Sequence, residues 1–182
     1  MDTAAWVSRF FEAHDRFETS ADPQLKPLSH VRRIREGRRA VDRAYVFDHD
    51  ARRVRSGGTL AEAGGPTAMA LPLAAGSLDT LTALWYIRAL PLAPGLEVML
   101  PVNDGRRGLV LTVRVGNREF VEVGGRREEA FRVEPRMVSR VERRQPIEAT
   151  IWLSADARRL PLVAEIAAGF GRIRLKLVNY RP

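Results

Sequence analysis

The chain has no cysteine, only two lysines, three histidines and no apolar run near the ~20 residues of a membrane-crossing helix. Without cysteine there is no disulfide, no zinc–thiolate centre and no thiol nucleophile, and the redox compartment stays open. Three histidines (His14, His30 and His49) leave little for a metal centre, which needs three or four convergent ligands. Glycine-rich dinucleotide and phosphate loops are missing, as are HExxH and GxSxG, so the common cofactor and hydrolase signatures are excluded. The first residues, Met1 to Phe11, have no basic segment, long apolar stretch or small-residue cleavage site, and do not read as a signal peptide.

What is present is arginine. Net charge is +8 and the isoelectric point is about 11.0, nearly all of it from guanidinium groups. Arginine forks suit phosphate and carboxylate. These arginines, however, are spread along the chain and often stand beside Glu or Asp, which favours solvated faces over one polyanion site. At 182 residues with 45% hydrophobic content, the chain is expected to form a single domain over 1–182 with a real core.

Leu78 to Leu90, closed by Pro91, reads as a short helix that is apolar nearly all round. Ser77 or Asp79 can cap it. At ~100° per residue, Asp79, Thr82 and Tyr86 form a polar stripe, and Leu78, Leu81, Leu84, Trp85 and Arg88 the opposite apolar face. Arg88 is the odd member; buried there, it requires a carboxylate or carbonyl partner. Residues 4–13 read as a second amphipathic helix with Trp6, Phe10 and Phe11 inward. Ser56 to Pro66 is rich in small residues without periodicity and reads as a mobile loop.

Most other segments read as strands. Residues 28–36 and 38–48 form a hairpin about Glu36-Gly37. Leu109, Leu111, Val113 and Val115 alternate with polar or smaller residues, as do Ile147–Leu153 and Ile173–Leu177. Turn chemistry falls at Asn103-Asp104-Gly105, Gly116-Asn117, Gly124-Gly125 and Gly169, which gives a meander of hairpins. The expected fold is mainly β: a curved, half-barrel-like antiparallel meander wrapped around a short buried helix. Its inward row is Leu109, Leu111, Val113, Ile151, Ile173 and Leu175.

Candidate chemistry is sparse. Asp48-His49-Asp50 has metal or acid–base residue types but sits at a strand end, where it is good turn chemistry. Ser154 and Asp156 resemble a nucleophile beside a carboxylate, yet a turn explains them more simply. The ligand-binding candidates are Arg88, Trp85, Leu111 and Ile151, in the concavity between helix and sheet. The polyanion-face candidates are Arg172, Arg174 and Lys176, joined by Arg114, with Trp152 as a neighbouring aromatic. No catalytic residue, metal or cofactor is expected, and nucleic acid is not an expected partner.

A recurring set of pieces runs along the chain: Phe17–Asp22 with Pro27, Tyr45–Asp48, Asp79–Arg88 with Leu90–Leu92 and Gly95, Leu100–Gly105, Ile151–Asp156 with Arg159–Pro161, and Gly171–Leu175. Together they resemble a family of exported bacterial proteins known as domain of unknown function 3108. The resemblance implies a curved sheet around a helix, a location in the bacterial envelope, and no known activity or site residue. It is similar at the level of fold to half-barrel lipoprotein carriers, which makes a lipid or other envelope component the expected partner. Relatives carry an export signal and further strands ahead of the Phe17 region. Met1 is therefore expected to be an internal start or fragment boundary, with a cytoplasmic location if it is the true start.

Overall fold

The computed structural model describes residues 16–36, 39–139, 146–168 and 171–178. The helix expected over 4–13 and the turn expected at Gly169 lie outside the described residues. The protein is mainly β, with antiparallel strands in chain order and little helix, and the strands form two sheets. The chain divides into two compact units. One comprises Met1–Thr82 with Asn103–Arg107, the other Ala83–Val102 with Gly108–Pro182.

The first unit holds a five-stranded meander of β1 (Arg16–Ala21), β2 (Pro27–Glu36), β3 (Arg39–Asp48), β4 (Arg53–Gly57) and β5 (Met69–Pro72). The β2–β3 hairpin runs from Ser29↔Val46 to Glu36↔Arg39 without a slip, as the alternation predicts. Its core is Tyr45, Phe47, Val54 and Leu73, with Leu71 packed against them. The Asn103–Gly105 turn lies on this core. A Cβ on Gly105, at φ +83°, would meet the Tyr45 ring at 2.5 Å, so this position requires glycine twice over.

The Ser56–Pro66 segment differs from the expected aperiodic loop, because it contains α1 (Leu60–Gly64). Thr59 accepts from the Glu62 amide at 3.2 Å, and the Glu62 carboxylate returns to the Gly58 amide at 2.8 Å. A single turn is too short to show a 3.6-residue period, but the Thr-x-x-Glu signal of a capped start is there. Gly57 lets this turn sit on β4, since a Cβ there would meet Ala63 N at 2.7 Å.

The second unit holds a six-stranded sheet in the order β11-β10-β9-β8-β7-β6. Its strands are β6 (Glu97–Asn103), β7 (Gly108–Val123), β8 (Arg126–Ser139), β9 (Ile147–Ser154), β10 (Pro161–Ala168) and β11 (Gly171–Lys176). Gly124 and Gly125, both at positive φ, make the two-residue turn between β7 and β8. Gly116-Asn117, expected as a turn, is instead a bulge within β7, where the register shifts between Val115 and Arg118. One extra residue reverses the phase of the pleat. Val121, beyond the bulge, therefore lies on the face opposite Leu111 and Val113, where it is buried with Ala130, Leu160, Leu162 and Val163.

Leu109, Leu111 and Val113 are buried on one face with Phe131, Val133 and Leu153. That face thins toward the β11 edge. Ile151 is half-buried, and Ile173 and Leu175 are 38% and 54% exposed, so the expected inward row is core at one end only.

Between the two sheets in sequence lies α2 (Thr80–Ala89). Its buried residues are Thr82, Ala83 and Ile87, with Asp79 just ahead, whereas Trp85 is 54% and Tyr86 37% exposed. Of the arc expected to face inward, Leu78 is buried, Leu81, Leu84 and Arg88 are half-buried, and Trp85 is exposed. Hydrophobicity alone missed the burial of Asp79 and Thr82, whose hydrogen bonds are met internally.

Candidate ligand-binding grooves

Asp79 caps α2. Its Oδ1 accepts from the Thr82 amide at 2.7 Å, and the Asp79 amide donates to Thr82 Oγ1 at 2.9 Å, a reciprocal cap with threonine in the usual glutamate place. The other carboxylate oxygen accepts from Thr19 Oγ1 at 2.7 Å and lies 3.4 Å from His30 Nδ1. Thr19 gives its one proton to Asp79, so His30 Nδ1, 2.8 Å away, donates to Thr19. Burial pushes the Asp79 carboxyl up, but the nearby His30 and hydrogen bonds from Thr19 and the Thr82 amide outweigh it and hold it below the usual carboxylate range. Thr, His and Asp are the residue types of a catalytic triad, but here histidine does not stand between hydroxyl and carboxylate. His30 and Asp79 are 5% and 1% exposed. The cluster ties β1 and β2 to the start of α2.

Arg88 meets backbone carbonyls. Nε donates to Arg159 O and Nη2 to Arg158 O, each at 2.9 Å, and the guanidinium lies 4.0 Å over the Trp85 ring. The loop it grips connects β9 to β10. There Ser154 Oγ donates to Asp156 at 2.7 Å and accepts from the Leu160 amide at 2.8 Å. The Arg158 guanidinium, then the Ser154 hydroxyl, hold the Asp156 carboxyl below its ordinary value. Ser154 is thus committed to the turn. At the other turn motif, His49 Nε2 donates to Pro27 O at 2.9 Å, and Asp48 accepts from the Ala51 amide.

A groove of about 460 Å³ opens on the Tyr45 face of the five-stranded sheet. Register builds it: Arg32 of β2 stands directly opposite Arg43 of β3, and His30 opposite Tyr45. Arg106, from the turn resting on Tyr45, joins the two arginines in the lining, over a floor that includes Ile34, Val41, Met69 and Leu71. No carboxylate is among the lining residues. Arg32 Nε is buried without a hydrogen-bond partner, while its guanidinium lies 5.6 Å from the Phe17 ring centre. Burial pushes the Tyr45 phenol up, against the pull of Arg106, Arg32 and Arg43. Like charges directly opposite across a ladder cost stability. Arg106 pairs with Asp104 at 3.9 Å, just outside the lining. The facing Arg32 and Arg43, with a lone buried donor, form an arrangement that an anion would complete.

A second groove, of about 690 Å³, lies on the six-stranded sheet, on the face away from Leu111. Here arginines and glutamates interleave. Arg114 pairs with Glu97 at 2.9 Å, Arg132 with Glu134 at 2.7 Å and Arg136 with Glu148 at 3.0 Å. Trp152 donates its indole N–H to Glu119 at 2.9 Å. Arg172 and Arg174 both reach Glu165, at 3.5 and 3.4 Å. The expected basic face is therefore a lattice of alternating charge. Neither groove is lined by Trp85, Arg88, Leu111 or Ile151. Arg32, Arg43 and Arg106 went unnoticed in the sequence, because the first two are eleven positions apart in the chain and only register brings them together.

A family model described as a protein of unknown function, DUF3108, matches residues 1–178. No curated protein and no solved structure matches the chain.

Proposed function

We propose, for a chain that belongs to the DUF3108 family of unknown function, a non-enzymatic role in binding an amphipathic anion, one with a carboxylate or phosphate head and an apolar body. The observation that carries this reading is the facing pair Arg32 and Arg43, with Arg106 beside them and no carboxylate in the groove they line. A volume of about 460 Å³ lies within the usual range for small-ligand sites. The guanidinium forks supply the head-group contacts, and Ile34, Val41 and Leu71 supply an apolar wall. The non-enzymatic part rests on the Thr19–His30–Asp79 cluster, in which His30 and Asp79 are buried and the half-buried Thr19 spends its proton on the carboxylate rather than on histidine. Placement in the bacterial envelope belongs to the same proposal and rests on the resemblance to exported proteins.

The test is titration with a fluorescent long-chain fatty acid, with displacement by dodecanoate, dodecyl phosphate and inorganic phosphate in separate arms. Saturable binding displaced by the first two and not by inorganic phosphate is expected. Displacement by inorganic phosphate alone would reduce the ligand to a free anion. Arg43→Glu should weaken binding about tenfold. The same change should raise the stability of the unliganded protein by about 0.5 kcal/mol, because it turns a like-charge pair into an opposite one. Unchanged affinity in Arg43→Glu, or no saturable binding at all, would sink the reading.

A further inference from the structure

The terminal strands of the two sheets are guarded unequally. β5 ends on Pro72, β6 contains Pro101, and β1 carries a register shift between Ser20 and Ala21. These are common ways of blunting an edge. β11 has none of them. It pairs with β10 in unbroken register from Gly171 to Lys176, all six of its residues are exposed, and among the described residues it has no neighbour on its outer side.

The phase of its backbone follows from one bond. The Leu177 amide donates to Leu162 O at 2.9 Å, which continues the same register. In an antiparallel ladder alternate residues bond to the same neighbour. Ile173 and Leu175 therefore turn their backbone groups toward β10, and Arg172, Arg174 and Lys176 turn theirs outward. The outward-bonding residues are also the cationic ones. Arg172 and Arg174 share the single carboxylate of Glu165, and Lys176 has no carboxylate partner among the described residues. On the opposite face stand the exposed Ile173 and Leu175.

We propose that β11 is a docking edge for an extended segment of a partner protein that alternates acidic and apolar residues and adds as a further strand. Main-chain bonds to Arg172, Arg174 and Lys176 hold the segment. Its acidic residues meet the three cations, and its apolar residues extend the Ile173–Leu175 row. A second copy of the chain fits poorly. Antiparallel pairing of two β11 strands about Arg174 would set Arg174 against Arg174 and Arg172 against Lys176, and like charges in direct opposition destabilise. The same cations that repel a copy select an acidic strand. This surface belongs to the second unit and is independent of the anion groove of the first.

Residue-resolved amide hydrogen exchange on the whole chain tests it, with a short synthetic peptide of alternating glutamate and valine as probe and a lysine–valine peptide as control. Free, the amides of Arg172, Arg174 and Lys176 should exchange fast and those of Ile173 and Leu175 slowly. With the acidic peptide, the first three should become protected as well. Arg174→Pro removes an outward donor without touching the bonds to β10 and should lower peptide affinity about tenfold. Arg174→Glu, which keeps the backbone donor, should weaken the acidic peptide roughly two- to fivefold and improve the lysine–valine one. Protection of the three amides in the free protein, equal binding of both peptides, or unchanged affinity in both variants would overturn the proposal.

Discussion

Asp79 shows how one side chain can serve a helix, two strands and the acid stability of the protein together. Its carboxyl binds a proton less readily folded than unfolded, because His30, Thr19 and the Thr82 amide all favour the charged form. A group with a depressed folded value stabilises fully at neutral pH, and that contribution is lost as pH falls below about 4 toward the folded value. Asp79→Asn keeps a capping oxygen but loses the charge. Urea unfolding should show it destabilised by about 2 kcal/mol at neutral pH, with a flatter decline in acid than the parent. Parallel acid limbs for the two proteins would contradict this account. The cap was legible down to Ser77 or Asp79, since a cap is a matter of residues three apart, and the structure decides for Asp79 with Thr82. The partners Thr19 and His30 were not, being 60 and 49 positions away.

Elements were read well where local chemistry decides them and poorly where pairing does. The β2–β3 hairpin and the strands β9 and β11 stand where their alternation places them. Gly116-Asn117 looked like a turn because glycine and asparagine favour turns, yet β8 runs opposite both sides of it and absorbs the pair as a bulge. The burial of Asp79 and Thr82 was missed for a related reason: they satisfy each other and Thr19, so burying them costs less than their polarity implies. At this scale the Asn103–Gly105 turn makes a sharp prediction. Gly105→Ala must bear a positive φ and a Cβ against the Tyr45 ring, and thermal unfolding should report a loss of about 2 kcal/mol or more. A change under half of that would mean the turn shifts freely off the ring.

For the molecule as a whole, net charge is a poor guide to partners. A charge of +8 invites a polyanion, but the arginines of the six-stranded sheet stand in pairs with Glu97, Glu134, Glu148 and Glu165. Paired surface charges screen one another and project little field. Heparin should retain the protein weakly, with elution below roughly physiological ionic strength of ~0.15 M. Retention well above that, falling in Arg174→Glu, would revive a polyanion role for Arg172, Arg174 and Lys176. Arg32 and Arg43 in the groove of the first unit, and Lys176 on β11, have no carboxylate partner among the described residues.

The sequence by itself determined the mainly antiparallel β character, the hairpins, the cap of α2 and the family, because each depends on residue types a few positions apart. Tertiary structure decided the division into two sheets, the phase of β7 beyond its bulge, the partners of Asp79 and Arg88, and the facing of Arg32 and Arg43. Those depend on which distant strand lies alongside and in what register, and one residue of slip moves a side chain from one face to the other. Arg88, conspicuous in the chain as a charge on an apolar helix, proved to grip a loop's carbonyls. Arg32 and Arg43, on which the proposed anion site rests, are ones that nothing in their own neighbourhood marked out.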